Sequence, residues 1–172
     1  MVKGNIVIRT AKTEDAARIL QIQKEVVAEK IYLATASEEF DKTVEQQRDW
    51  MEKILTNNRE TMLVAETPNQ IVGWLVFRSP DRVRLSHTGS IGMMIDKESR
   101  NMGIGKLLIK GILDWATLNP LIEKVCLGVF STNERAVALY KKMGFIEEGR
   151  KIKEFKLDHG EYVDDILMYR LV

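Results

Sequence analysis

Arg100-Asn101-Met102-Gly103-Ile104-Gly105-Lys106 stands where one sequence texture gives way to another. Upstream, Leu85 to Ile95 reads as a strand. Downstream, Ile104, Leu107, Leu108, Gly111, Ile112 and Trp115 recur at offsets of 0, 3, 4, 7, 8 and 11, the spacing of one helix face. Glycines at such a junction let the main chain approach a bound group, and unpaired N–H groups at a helix start favour an anion such as phosphate. Arg100 and Lys106 add positive charge on either side. The spacing is not that of a Walker loop, and Leu108 stands where a dinucleotide fingerprint needs its third glycine. The other reading is a helix start whose glycines only permit tight packing on a strand.

Working outward, Ile122 to Val129 reads as a strand after the stop at Asn119-Pro120, and Asn133 to Met143 as a short helix that Gly144 ends. Phe145 to Leu157 and Tyr162 to Leu171 read as a hairpin around Asp158-His159-Gly160. Towards the N-terminus, Met62 to Glu66, Ile71 to Arg78 and Leu85 to Ile95 form an antiparallel meander with turns at Pro68-Asn69 and Pro80-Asp81. Two amphipathic helices precede it, Thr13 to about Lys30 and Phe40 to about Asn57, separated by the irregular segment Ile31 to Phe40 and preceded by a strand at Asn5 to Arg9. This order predicts an α/β (α+β) sandwich of three layers: a mixed, mostly antiparallel central sheet with helices on both faces. The unit from 85 to 129 is expected to be a parallel crossover, which places the glycine turn beyond the carboxyl end of a strand, where ligands tend to bind.

The 172 residues fit one domain, 1–172, with no repeat or linker. At 45% hydrophobic and 30% charged the chain builds an ordinary core and is not disordered. Twenty-six Lys and Arg against twenty-five Asp and Glu leave no basic excess to argue for a nucleic-acid or membrane partner. The one cysteine, Cys126, forms no internal disulfide, and with two histidines it supplies no clustered zinc site, so no metal is expected. No run approaches the roughly 20 apolar residues that span a bilayer, and Met1 to Thr10 lacks a signal-peptide core. The expectation is a soluble cytoplasmic protein.

About thirty residues after Gly103 comes Asn133-Glu134-Arg135-Ala136-Val137-Ala138-Leu139-Tyr140-Lys141-Lys142-Met143-Gly144-Phe145. The two motifs together resemble those of the GNAT superfamily of N-acetyltransferases: Arg or Gln, then Gly and a second small residue at fixed offsets, followed by an Asn, Ala, Tyr, Gly-Phe helix. The resemblance runs through nearly the whole chain in element order and is sharp from Gly92 to Phe145. The closing stretch, Glu147 to Met168, is similar to the branch of ribosomal-protein and spermidine N-acetyltransferases.

The resemblance implies acetyl-CoA as co-substrate, with its pyrophosphate on Arg100, Asn101, Met102, Gly103, Ile104, Gly105 and Lys106. It implies main-chain contacts from Met93, Met94 and Ile95 to the pantetheine arm and thioester, where a fixed N–H can stabilise the charge that grows on the carbonyl oxygen. It gives Asn133 a cofactor contact, a role that coexists with helix capping. It makes Tyr140 the general acid: a phenol of ordinary pKa about 10 stays protonated at neutral pH and can donate to the departing thiolate. The function expected is transfer of acetyl to a primary amine, whether of a small molecule, a polyamine or a protein N-terminus, by direct attack in a ternary complex. The alternative is a non-catalytic acyl-CoA-binding sensor or interaction module. A homodimer is the oligomer the resemblance suggests.

The general base stays open. Glu38 and Glu39, in the irregular segment, resemble the acidic pair of the polyamine branch and could attract a cationic acceptor, or are solvated carboxylates at a helix start. Glu25 and Glu29 have a poorer claim. His87 reads as a structural strand residue, His159 as a turn residue and Cys126 as a small buried hydrophobe. Trp50, Trp74 and Trp115 fall on core-like faces, and Tyr162 and Asp164 either line the acceptor side or pack the hairpin.

Overall fold

The computed structural model describes residues 6–172. In chain order the elements are β1 (Val7–Thr10), α1 (Ala16–Ala28), α2 (Val44–Leu55), β2 (Thr61–Glu66), β3 (Ile71–Arg78), β4 (Thr88–Ile95), α3 (Ile104–Leu118), β5 (Lys124–Phe130), α4 (Glu134–Lys142), β6 (Ile146–Lys156) and β7 (Tyr162–Leu171). The strands form one sheet in the order β1-β2-β3-β4-β5-β7-β6. Every neighbouring pair is antiparallel except β4 and β5, which α3 joins as a parallel crossover. This is the mixed sandwich expected from the sequence.

Element edges shift for local reasons. The first helix begins with a 3-10 turn over Thr13–Asp15, and Lys30 leaves the helix with φ of 54°. Phe40 precedes α2 because Thr43 caps it: the hydroxyl accepts from Gln46 N at 3.2 Å, while the Gln46 side chain accepts from Thr43 N. Leu85 belongs to a 3-10 turn, so β4 starts at Thr88. Of the expected first strand, Asn5 lies outside the described residues.

Alternation along the strands sends side chains to two cores. On one face Leu75, Phe77, Leu127, Val129 and Met168 pack with Leu108, Ile109 and Ile112 of α3 and Tyr140 of α4. On the other, Met62, Val64, Trp74 and Val76 pack with Ile19 and Ile22 of α1 and Met51 and Ile54 of α2. Close approach of β4 to β3 depends on Gly89, where an added Cβ would lie 2.2 Å from the Phe77 ring. The helices α1 and α2 cover β2 and β3 but leave Ser90 and Gly92 of β4 and Gly128 of β5 exposed. Half of that sheet face is therefore open at its centre.

Candidate active site

The central opening is a property of register. Strands β4 and β5 pair only at Thr88 with Lys124, Gly89 with Val125 and Ser90 with Cys126. Beyond that point β4 stays with β3 as far as Ile95, and β5 stays with β7 as far as Phe130, so the two parallel strands part company. Gly92 and Gly128, two residues beyond the last pair on each strand, are exposed and contribute no side chain.

Ladder alternation decides which main-chain groups line the gap. Asp96 N donates to Val72 O at 2.9 Å, which makes Trp74–Met94 and Val76–Gly92 the next hydrogen-bonded pairs. The N–H and C=O groups of Met93 and Ile95 therefore point away from β3, towards β5. Met94 differs from the expectation: its main chain is held by Trp74, and its side chain packs on the core under α1 and α2.

At the end of this gap lies the glycine turn. Gly103 has φ of 82° and nothing within 4 Å of the position a Cβ would take, so the main chain is bare on its outer side. Asn101 also sits at positive φ, 68°, a conformation asparagine tolerates better than most residues. No side chain caps α3, unlike α2 and α4, and its first intrahelical bond is Leu107 N to Gly103 O. The N–H groups of Ile104, Gly105 and Lys106 are left for an anion. Gly105 answers the packing need instead: a Cβ there would lie 3.1 Å from Leu139 of α4 and 3.4 Å from Met93. Tight packing thus accounts for Gly105, whereas Gly103 faces open space.

Arg100 departs from its expected part. Its guanidinium grips Glu29 with both ends, at 2.7 and 2.5 Å, while its Nε donates to Ile95 O at 3.2 Å. The pair holds the Glu29 carboxyl below its usual range and the Arg100 guanidinium above its own. The Arg100 charge is thus spent on a carboxylate, whereas Lys106 is exposed and has no carboxylate at ion-pair distance among the described residues. Glu29, a poor candidate on sequence alone, is the residue that fastens the turn to the end of α1. Its 71-residue separation from Arg100 hid it. Met102 is half exposed beside the turn.

Tyr140 projects from α4 into the core on the far side of the gap, edge-on to Phe145 at 5.8 Å. Its hydroxyl makes no hydrogen bond among the described residues, and the residue as a whole is buried, 9% exposed. Burial pushes the phenol up to about 12, so it is fully protonated at neutral pH. Asn133 caps α4, its Oδ1 accepting from Ala136 N at 3.2 Å.

Next to the gap a cavity of about 480 Å³ is lined by Lys30, Leu33 to Ser37, Phe130 and Glu154 to His159. Lys30 bridges it, reaching Glu38 at 2.9 Å and Asp158 at 3.3 Å. Glu38 and Glu39 are not among its walls. Glu38 is tied to Lys30, and Glu39 accepts from Ala36 N to close a 3-10 turn. A second cavity, about 550 Å³, lies by Lys142 to Gly144 and Tyr169 to Leu171, so it touches the end of the tyrosine-helix motif but neither Tyr140 nor the glycine turn.

Other residues fall away from the chemistry. His87 is exposed at the paired start of β4, His159 meets Glu161 in the hairpin turn, and Asp164 accepts from Lys153 N at a bulge in β6. Tyr162 is half exposed against Lys153 and Lys156. Cys126 is half buried rather than buried, because it lies on the uncovered half of the sheet, and desolvation raises its thiol pKa. No group of three or more His, Cys, Asp or Glu among the described residues stands close enough to hold a metal. No helix among them is long and apolar enough to cross a membrane.

Comparison with known proteins agrees with this geometry. The model of the acetyltransferase (GNAT) family matches residues 21–145. The L-amino acid N-acetyltransferase AaaT of Escherichia coli (strain K12) is 31% identical over 170 residues, 98% of this chain and 99% of that protein. The spermidine N(1)-acetyltransferase of Vibrio cholerae is 35% identical over 79 residues, 46% of this chain and 45% of that one. A GNAT-family acetyltransferase from Streptococcus pneumoniae shares the fold with a TM-score of 0.92 at 27% identity, over 98% of this chain and 100% of the other. With the split sheet, the bare glycine turn and the tyrosine helix in place, this chain belongs to the acetyltransferase (GNAT) family, acyltransferases that take acetyl-CoA as co-substrate.

Proposed function

We propose that the protein transfers acetyl from acetyl-CoA to the primary amine of a small acceptor that also carries a carboxylate, an amino-acid-like molecule, by direct attack in a ternary complex. The observation that carries the reading is the gap between β4 and β5, which joins an anion-binding turn at one end to a protonated phenol on one face. The bare N–H groups at Ile104, Gly105 and Lys106 suit the pyrophosphate, and Gly103 leaves room for it. The pantetheine arm lies along the main chain of Met93 and Ile95, taking the place of a strand, and the Met93 N–H is positioned to stabilise the thioester oxygen as it gains charge. Tyr140 gives its proton to the sulfur as the carbon–sulfur bond breaks. Asn133, whose Oδ1 is taken by the cap of α4, has its Nδ2 to offer the same arm.

The acceptor class rests on the charge of the cavity. Lys30, Lys156 and His159 stand there with Glu154 and Asp158, so neither sign dominates. A zwitterion matches such a lining better than a polycation, which calls for carboxylates in excess. The relative that spans nearly the whole chain is named for L-amino acids, whereas the likeness to the spermidine enzyme covers less than half.

The test is release of free CoA thiol by the purified protein from acetyl-CoA, across amino acids, amino-acid analogues, polyamines, aminoglycosides and peptides with free N-termini. Amine-dependent release that is fastest with an amino-acid-like acceptor is expected. Fastest release with spermidine or a peptide reassigns the acceptor, and saturable acetyl-CoA binding with no release from any amine favours a sensor.

A further inference from the structure

An ammonium must lose a proton before it can attack, and none of the residues above takes it. Carboxylates near the gap differ sharply in setting. Glu38 and Asp158 are about 70% exposed and held by Lys30. Glu154 is 39% exposed and bound to Lys151. Asp165, on β7, is buried, with a side chain 12% exposed.

Its position follows from register. Asp165 pairs with Phe130 across the β5–β7 ladder, while Leu167 pairs with Gly128. The Asp165 carboxylate leans along the strand onto Gly128: a Cβ added there would lie 2.7 Å from its Oδ1 and 3.1 Å from its Oδ2. Gly128 is the β5 wall of the gap, so the carboxylate lies where a side chain from that wall would project. Directly paired residues share a sheet face. Leu127, Val129, Ile166 and Met168 face Tyr140, so Gly128, Phe130 and Asp165 face the other way. Phe130 lines the acceptor cavity on that same side.

The gap thus has a phenol on one face and a carboxylate on the other. We infer that Asp165 is the general base, taking a proton from the acceptor ammonium on the face opposite Tyr140. The inference rests on the acetyl transfer proposed above. One N–H bond of the ammonium breaks as the proton passes to Asp165. The freed lone pair then forms the nitrogen–carbon bond to the thioester carbonyl, and the carbon–sulfur bond breaks while Tyr140 O–H protonates the sulfur. The proton then lost from the acylated nitrogen restores the phenol through solvent. Asp165 releases its own proton to water, which is the one proton the overall reaction liberates.

The charges facing Asp165 are compatible with a base. Lys151 on β6 approaches to 4.0 Å but is bonded more closely to Glu154, at 3.1 Å, and Glu154 opposes it. Strand β5 presents Gly128, the uncharged Phe130 and the Val129 main chain. Desolvation raises the carboxyl above its ordinary value, bringing its basicity towards neutral pH.

The experiment compares wild type, Asp165→Asn and Gly128→Ala, with acetyl-CoA dissociation constants confirming that each variant is folded. Asp165→Asn is expected to lower kcat by at least about 100-fold at pH 7 with an ordinary ammonium acceptor, with acetyl-CoA affinity kept. The loss should shrink to below about 10-fold with an aminooxy analogue, which is already neutral at pH 7, and should shrink again as pH rises towards the amine's own pKa. Gly128→Ala, which displaces the carboxylate without removing it, should lower kcat in the same acceptor-dependent way, and it decides the matter if Asp165→Asn fails to bind acetyl-CoA. Near-wild-type kcat in the deciding variant, or one uniform loss across acceptors and pH, would overturn the assignment. No release by wild type with any amine would instead overturn the acetyl-transfer reading on which it depends.

Discussion

Glu29→Ala tests whether the cofactor turn is held in place by the first helix. Arg100 and Glu29 share two charge-assisted hydrogen bonds, at 2.7 and 2.5 Å, with side chains 29% and 18% exposed. Such bonds are worth about 1.5–3 kcal/mol each when well buried. Water reaching the guanidinium in the variant offsets part of the loss, so the net cost is about 1–3 kcal/mol. For a chain of this length that lowers Tm by about 2–12 °C. The pH dependence has a definite sign. Because Arg100 holds the Glu29 carboxyl below its usual range, its contribution is complete above the unfolded value near 4.3 and is lost as pH falls through the lower folded value. Thermal melts by circular dichroism should therefore show a gap between wild type and variant that is widest near pH 7 and closes below about pH 4. Freed from its anchor, the turn must be reordered by the ligand, so acetyl-CoA should bind about 10-fold more weakly for each 1.4 kcal/mol that reordering takes. A variant melting within about 1 °C of wild type at pH 7, or a gap unchanged by pH, would refute the reasoning.

Three further substitutions probe separate parts. Gly103→Val places a β-branched residue at φ of 82° and fills the open side of the turn; calorimetry should show acetyl-CoA affinity falling by at least about 10-fold, for a stability loss of only about 1–2 kcal/mol. Gly89→Ala drives a methyl group to 2.2 Å from the Phe77 ring, and denaturant unfolding should register a loss of about 1–3 kcal/mol with no selective effect on the acceptor. Lys30→Ala removes the cation that spans the acceptor cavity from Glu38 to Asp158; steady-state kinetics should show a several-fold higher acceptor KM, on the order of 1 kcal/mol, at unchanged acetyl-CoA affinity.

What the sequence made legible is what is local. The turn at Gly103, the helix face of Leu108 and Ile112, and the Asn133-to-Phe145 motif each act within about a dozen residues, and their spacing alone orders the elements. The parallel crossover from β4 to β5 followed because a strand, an amphipathic helix and a strand in succession leave few packings, whereas the place of β7 between β5 and β6 was not read. The gap itself was not legible, since it depends on where the β4–β5 register stops, at Ser90 and Cys126. The partner of Arg100 was likewise hidden, because nothing near either residue marks Glu29 as belonging to the turn. The partners of Glu38 and Glu39 are local. The pattern of the two glutamates is that of an acidic pair, but Lys30 and the Ala36 N–H are close enough in the chain to occupy both. Asp165 was overlooked because it is one of two adjacent aspartates, and only strand pairing separates it from Asp164, which fastens a bulge.

The central claim is that the gap presents a protonated phenol to the leaving thiolate, and Tyr140→Phe isolates that group. Removing the Tyr140 hydroxyl deletes no hydrogen bond among the described residues and keeps the ring that packs against Phe145, so the fold should stay in place. Thiol release under saturating acetyl-CoA and amine, measured beside the acetyl-CoA dissociation constant, should show kcat falling by about 100- to 10,000-fold with affinity nearly unchanged, equivalent to about 3–5 kcal/mol of transition-state stabilisation. Unchanged kcat, or a loss of acetyl-CoA affinity that matches the loss of turnover, would contradict it and make Tyr140 a packing residue.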